Sequence, residues 1–216
     1  ADSVSAQQEK INQNPHFVYL AYFAPGVIKV GISQEERGIR RLLEQGARLA
    51  LKLETFSSAL IARQYEAKIS ALDGIVETMP IHKKLELIKQ PFERAAGEKK
   101  LRQKLLEIEQ KIGVLFPKSE LIACEDYFHT NDIDLALAII MKDQNKLVGR
   151  VHSVIGSIVI TEHKDQLLAY NLKKFIGYQA HKITGDIELE LPSEQLTLFW
   201  YNTYLWITIQ TSYFQI

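Results

Sequence analysis

From His16 to Ile32 the chain reads HFVYLAYFAPGVIKVGI, two β-rich runs around Pro25-Gly26, and this stretch restricts the fold most tightly. Proline fixes its own φ and glycine takes left-handed backbone without a steric cost, so the pair reads as a turn and its flanks as the arms of a hairpin. Next, Ile39, Leu42 and Leu43 form an apolar stripe at helical spacing that stops at Gly46. Arg48 to Phe56 reads as a third strand. Ser57 or Ser58 then suits the cap of a second helix, with Ala62, Tyr65, Ile69 and Leu72 along one face. The expected order over residues 16–80 is strand, strand, helix, strand, helix.

The pattern changes after Pro80. A long charged run carries Leu101, Leu105, Ile108 and Ile112 at helix spacing, with Pro91 breaking it, and reads as a helical linker over 81–118. From residue 119 to 216 short β-like runs (KLVGRVHSVIGSIVIT, QLLAYNL, GYQAHKI, DIELEL) alternate with glycines and polar turns, the pattern of a small antiparallel sheet or barrel. Residues 1–15 form a polar extension without the basic-then-apolar order of a secretory signal, and the missing initiating Met points to a trimmed or incomplete N-terminus. The expected class is α+β: a small α/β domain, a helical linker and a β-rich domain.

With 26 basic and 26 acidic side chains the whole chain lacks the positive field of a protein that holds nucleic acid by bulk charge. Any such role therefore needs a local basic site. The single cysteine, Cys124, excludes an internal disulfide and a cysteine-cluster zinc site within this chain, and suits the cytoplasm. The tail LFWYNTYLWITIQTSYFQI is aromatic and nearly uncharged, yet too rich in Asn, Thr, Gln and Ser for a membrane span. It suits a final strand or a homodimer contact; the composition shift near Trp200 also fits a non-native extension.

Tyr19, Lys29, Arg41 and Glu66 are the candidate site residues. A lone carboxylate is enough to hold one Mg²⁺ or Mn²⁺, since such ions keep several waters and take further ligands from substrate phosphate. An arginine neutralises a transferring phosphoryl group, and a lysine or tyrosine orients or deprotonates water. Each has a plainer reading. Tyr19 lies in an apolar strand, where aromatics usually pack. On a helical wheel Arg41 points away from the apolar stripe, so it reads as exposed beside Arg37, Arg40 and Glu44. Glu66 falls at the shoulder of its helix's apolar face, with Arg63 and Lys68 as alternative ion-pair partners. His129, His152, His163 and His181 lack ligand spacing, Gly149, Gly156 and Gly177 suit β-turns, and the basic run at residues 99–104 reads as a solvated helix face.

Phe17-Val18-Tyr19 resembles the first triplet of GIY-YIG nucleases and Lys29-Val30-Gly31 the second; Arg41 matches the arginine of the family's next helix and Glu66 its glutamate. More narrowly, HFVYLAYF, IKVGIS, RLLEQGA, GSIVI and YNLKKFIGY resemble a bacterial family of uncharacterised proteins with a GIY-YIG-like front half. The departures are Lys29 in place of the second motif tyrosine and Gln45 in place of a histidine. The cysteine-rich segment that this uncharacterised family carries upstream is absent here. The resemblance implies a DNA- or RNA-processing protein that hydrolyses phosphodiesters in the manner of an endonuclease. Glu66 would hold one metal ion, Arg41 would contact the scissile phosphate, and Tyr19 with Lys29 would position water. The alternative keeps the fold without catalysis, as a nucleic-acid or protein binding module, and the altered second triplet favours it.

Overall fold

The computed structural model describes residues 5–142 and 146–179. The Pro25-Gly26 turn, with Gly26 at φ +75°, joins strand β1 (His16–Ala24) to β2 (Val27–Gln34). The two run antiparallel, with Tyr19 opposite Gly31 and Ala21 opposite Lys29. Helix α2 (Gly38–Gln45) follows and ends at Gly46, which takes left-handed backbone at φ +70°. Strand β3 (Leu49–Phe56) returns beside β1, and α3 (Ala59–Ser70) closes the expected strand-strand-helix-strand-helix order. Ser58 is the N-terminal cap of α3, although its hydroxyl makes no capping hydrogen bond.

Two short strands widen the sheet. β4 (Ile75–Val76) pairs parallel with β2, and β5 (Glu120–Ile122) pairs antiparallel with β3, giving the order β4-β2-β1-β3-β5. β1 is therefore the central strand, and every residue of it is buried. Its near-continuous apolar text follows, because both sides of the sheet are covered. Val18, Leu20 and Tyr22 face one apolar cluster with Leu49, Leu51, Leu53, Ala62 and Ile69; Phe17, Tyr19, Ala21 and Phe23 face another.

The first cluster is capped by α3 and by α5 (Arg94–Ile112), which inserts Leu101 and Ile108. The helix expected as a linker thus packs on the first sheet. It starts after a Glu93 cap whose carboxylate accepts from the Ala95 and Ala96 amides. The polar N-terminal stretch also folds, as α1 (Ala6–Gln13), which lies against α3.

The second cluster lies between the first sheet and a four-stranded sheet formed by β6 (Ile139–Ile140), β7 (Arg150–Ile155), β8 (Ile158–His163) and β9 (Gln166–Asn171), in the order β6-β9-β8-β7. Among the described residues this sheet is mixed instead of purely antiparallel, because β6 runs parallel to β9. Leu42 of α2, Leu85 and Leu87 of α4 (Ile81–Leu87), and Ile155, Ile158, Ile160 and Ala169 of the second sheet share this cluster with β1. The β7–β8 turn docks on the C-terminus of α2: a Cβ at Gly156 would stand 2.8 Å from Gly46 N and 2.9 Å from Glu44 O. The DIELEL run, all but the start of GYQAHKI, and the aromatic tail lie outside the described residues.

Candidate functional site

Tyr19 reaches the site because of its strand register. The β1–β3 ladder carries a bulge between Val18 and Tyr19, a device that re-aims side chains. The Tyr19 ring lies across β2 over Gly31, where a Cβ would stand 2.6 Å from Tyr19 Oη and 2.7 Å from Cζ. Only a residue without a side chain leaves that space. Tyr19 is completely buried, and its hydroxyl lies within hydrogen-bonding reach of Arg41 but has no well-aligned partner among the described residues. A buried hydroxyl left without any partner costs on the order of 1–3 kcal/mol, and the Arg41 contact offsets only part of that at Tyr19.

Arg41 is turned toward the same place. The helical wheel placed it in solvent, but its side chain is only 31% exposed and its Nε is buried without a partner. The wheel sees only the stripe of α2 itself and not what lies alongside the helix. The guanidinium reaches Glu44 at 3.6 Å, yet the same Glu44 oxygen is held at 2.5 Å by Arg37. Burial raises the Tyr19 pKa, while Arg41, through its charge and a hydrogen bond to the phenol, and Arg37 pull it down and Glu66 pushes it up. Tyr19 is thus a neutral phenol at pH 7, a donor and acceptor of hydrogen bonds and not an anion.

Lys29 stands two residues before Gly31 on the same side of β2. Its ammonium donates to the Val30 carbonyl at 2.9 Å. Burial lowers its pKa, with Arg41 acting in the same direction and Glu66 and Glu77 against it. Glu66 approaches from α3, half-buried, and its pKa is raised by burial and by Glu77 and lowered by Lys29, Arg63 and Arg41. Among the described residues its carboxylate makes no ion pair or hydrogen bond. The two alternative partners are engaged elsewhere: Arg63 donates to Asn12, and the Lys68 ammonium lies 5.5 Å from the Tyr65 ring centroid. Arg41 and Glu66 each lie within electrostatic reach of both Tyr19 and Lys29, which flank the Gly31 cradle.

Other residues belong to this neighbourhood and were not expected from the sequence. Glu77, which accepts from Ser70 Oγ at 2.6 Å, adds a second carboxylate. Lys84 of α4 donates to the Gln45 carbonyl at 2.5 Å and lies 5.3 Å from the Phe23 ring centroid. Its pKa falls to about 8, chiefly through burial and further through Lys173, Lys29 and Arg41. A signal for Lys84 was present in the text: Ile81, Lys84, Leu85 and Ile88 share one helical face, so this lysine interrupts an apolar stripe.

Among the described residues no group of three or more His, Cys, Asp or Glu side chains is arranged to hold a metal ion. An enclosed multi-ligand site of the zinc type is therefore not formed there. The unengaged carboxylate of Glu66, with Glu77 beside it, fits a different demand: one hard cation that keeps most of its waters. Cys124 is buried and its thiol is pushed up to about 12, which makes it an inert packing group.

The profile of one protein family, described as a protein of unknown function (DUF2797), matches residues 4–180, and the chain belongs to that family. This accords with the likeness to an uncharacterised family expected from the sequence. No curated protein and no solved structure matches the chain. No helix among the described residues is long and apolar enough to cross a membrane.

Proposed function

We propose that this member of the DUF2797 family binds nucleic acid and hydrolyses a phosphodiester bond at the Tyr19, Lys29, Arg41 and Glu66 site. One observation carries the reading: the Tyr19 hydroxyl is buried within hydrogen-bonding reach of the Arg41 guanidinium, and neither Tyr19 Oη nor the buried Arg41 Nε has a well-aligned partner among the described residues. Buried polar groups with poor partners, gathered among perturbed titratable side chains, are characteristic of ligand and catalytic sites. The GIY-YIG resemblance of the hairpin triplets, the helix arginine and the helix glutamate supports the same reading.

In this mechanism Arg41 binds the scissile phosphate and offsets the charge that builds on its oxygens in the transition state. The Tyr19 hydroxyl hydrogen-bonds the attacking water and fixes its line of approach. Lys29 takes the place of the second tyrosine. Its ammonium, anchored on the Val30 carbonyl, orients that water beside Tyr19. As the water oxygen bonds to phosphorus the P–O bond to the leaving group breaks, the water proton passes to solvent and the leaving oxygen takes a proton from solvent. Glu66 would hold one Mg²⁺ or Mn²⁺ ion, which supplies Lewis-acid stabilisation of the phosphate when bound.

The test is cleavage of mixed single-stranded, duplex and branched DNA and RNA with Mg²⁺ or Mn²⁺, comparing the natural chain with Glu66→Ala. The proposal expects cutting that disappears in the variant while binding persists. A second reading, a binding module on the same fold, is favoured by the Lys29 ammonium being tied to its own strand carbonyl. Salt-sensitive binding without cutting by either protein would select it.

A further inference from the structure

The cations around the site do not end at Arg41. Lys84 Nζ bonds the Gln45 carbonyl; the next residue, Gly46, abuts Gly156 in the β7–β8 turn; Ser157 O accepts from the Leu172 amide at 2.8 Å; and Lys173 follows directly, at the start of the turn after β9. This chain of contacts carries Lys173, in the 3-10 turn that follows the last strand of the second sheet, to the side of the site where Lys84 stands. Lys173, Lys29 and Arg41 each repel the charge on the largely buried Lys84 ammonium, with Lys173 reaching it from the exposed surface. The carboxylates lie unevenly among them. Glu66 and Glu77 act on Lys29, and Glu44 is shared with Arg37, whereas every charge that perturbs Lys84 is positive. Among the described residues Lys84 has only a carbonyl and an aromatic face as partners. Like charges gathered around a partly desolvated ammonium cost free energy that a bound anion would recover.

We infer that Lys84 and Lys173 form a second phosphate subsite, built jointly by α4 and the second sheet, which holds the backbone phosphate next to the one contacted by Arg41. The subsite rests on the proposed nucleic-acid reading and extends it: the ligand is a strand with at least two consecutive phosphates. The second sheet thereby has a direct part in binding, in addition to covering the first sheet.

The experiment titrates the full chain with a fluorescein-labelled mixed-sequence single-stranded oligonucleotide across a salt series, and in parallel with inorganic pyrophosphate. The natural chain, Lys84→Gln, Lys173→Gln and, as a control on the far face of α5, Lys100→Gln are compared. Each subsite variant is expected to weaken oligonucleotide binding and to reduce the slope of log affinity against log salt by about 0.7 per lost phosphate contact. The control should match the natural chain. Lys173 is exposed, so its variant remains informative if Lys84→Gln folds poorly. Pyrophosphate binding that depends on both lysines, without oligonucleotide binding, would keep the subsite and sink the nucleic-acid reading. Unchanged slopes and affinities in both subsite variants, or no binding of either probe, would overturn the inference.

Discussion

On one face of the five-stranded sheet, Val18, Leu20, Leu49, Leu51 and Leu53 meet Leu101 and Ile108 from α5 in an apolar cluster that contains none of the buried side-chain atoms lacking a partner among the described residues. On the other, Phe17, Tyr19, Ala21 and Phe23 meet α2, α4 and the second sheet, and there Tyr19 Oη and Arg41 Nε are buried against each other without a well-aligned partner, beside a group of like charges. The same strand, β1, supplies alternate residues to both. One face is apolar packing throughout, and the other buries polar groups and like charges, the difference on which the proposed site rests.

The largest effect should come from damaging the packing face. Leu101→Ala leaves a cavity at a completely buried position and should cost ~2–5 kcal/mol, read as a lower thermal midpoint. Nucleic-acid affinity measured well below that midpoint should not change. If affinity fell as far as stability, the two faces would not be separable.

Gly31→Ala should be intermediate. Gly31 needs no left-handed backbone, so the added Cβ acts only through its clash with the Tyr19 ring, at about 1–3 kcal/mol of overpacking. Binding should fall with it, because the ring must leave its place over β2. An unaltered affinity in a folded Gly31→Ala protein would argue that Tyr19 does not touch the ligand.

A smaller effect should appear in the pH dependence. Lys84 has a folded pKa of about 8, below its ordinary 10.5, owing first to burial and then to Lys173, Lys29 and Arg41. The unfolded chain binds more protons than the folded one between those values, so stability should rise with pH across that window. Anion affinity should instead fall as pH passes about 8, since the ammonium discharges. Lys84→Met should flatten both trends, as followed by chemical denaturation and by pyrophosphate titration from pH 7 to 10.

Much of this was legible in the text. Pro25-Gly26 marked the hairpin, Gly46 the end of α2, and the triplets ending in Tyr19 and Gly31 turned out to be paired neighbours. What was not legible depends on contacts distant in sequence. Arg41 reads as exposed on a wheel, and its burial follows from the surroundings of α2 in the fold. The charged α5 segment reads as a linker because two buried side chains, Leu101 and Ile108, carry its docking amid many solvated ones. Lys173 joins the site only because Gly156 packs on the end of α2, a contact that no local periodicity encodes.

The most direct test of the claim that the poorly partnered polar atoms serve a ligand is Tyr19→Phe, assayed for thermal midpoint and for metal-dependent cutting of the mixed nucleic-acid panel. The change relieves the desolvation of a poorly partnered hydroxyl and gives up its contact with Arg41, so stability should shift by no more than ~1 kcal/mol. Cutting should fall by about 10²-fold or more, the typical contribution of a group that acts on the proton or the water. A Tyr19→Phe protein that is less stable yet cuts as well as the natural chain would contradict the account and return Tyr19 to the core.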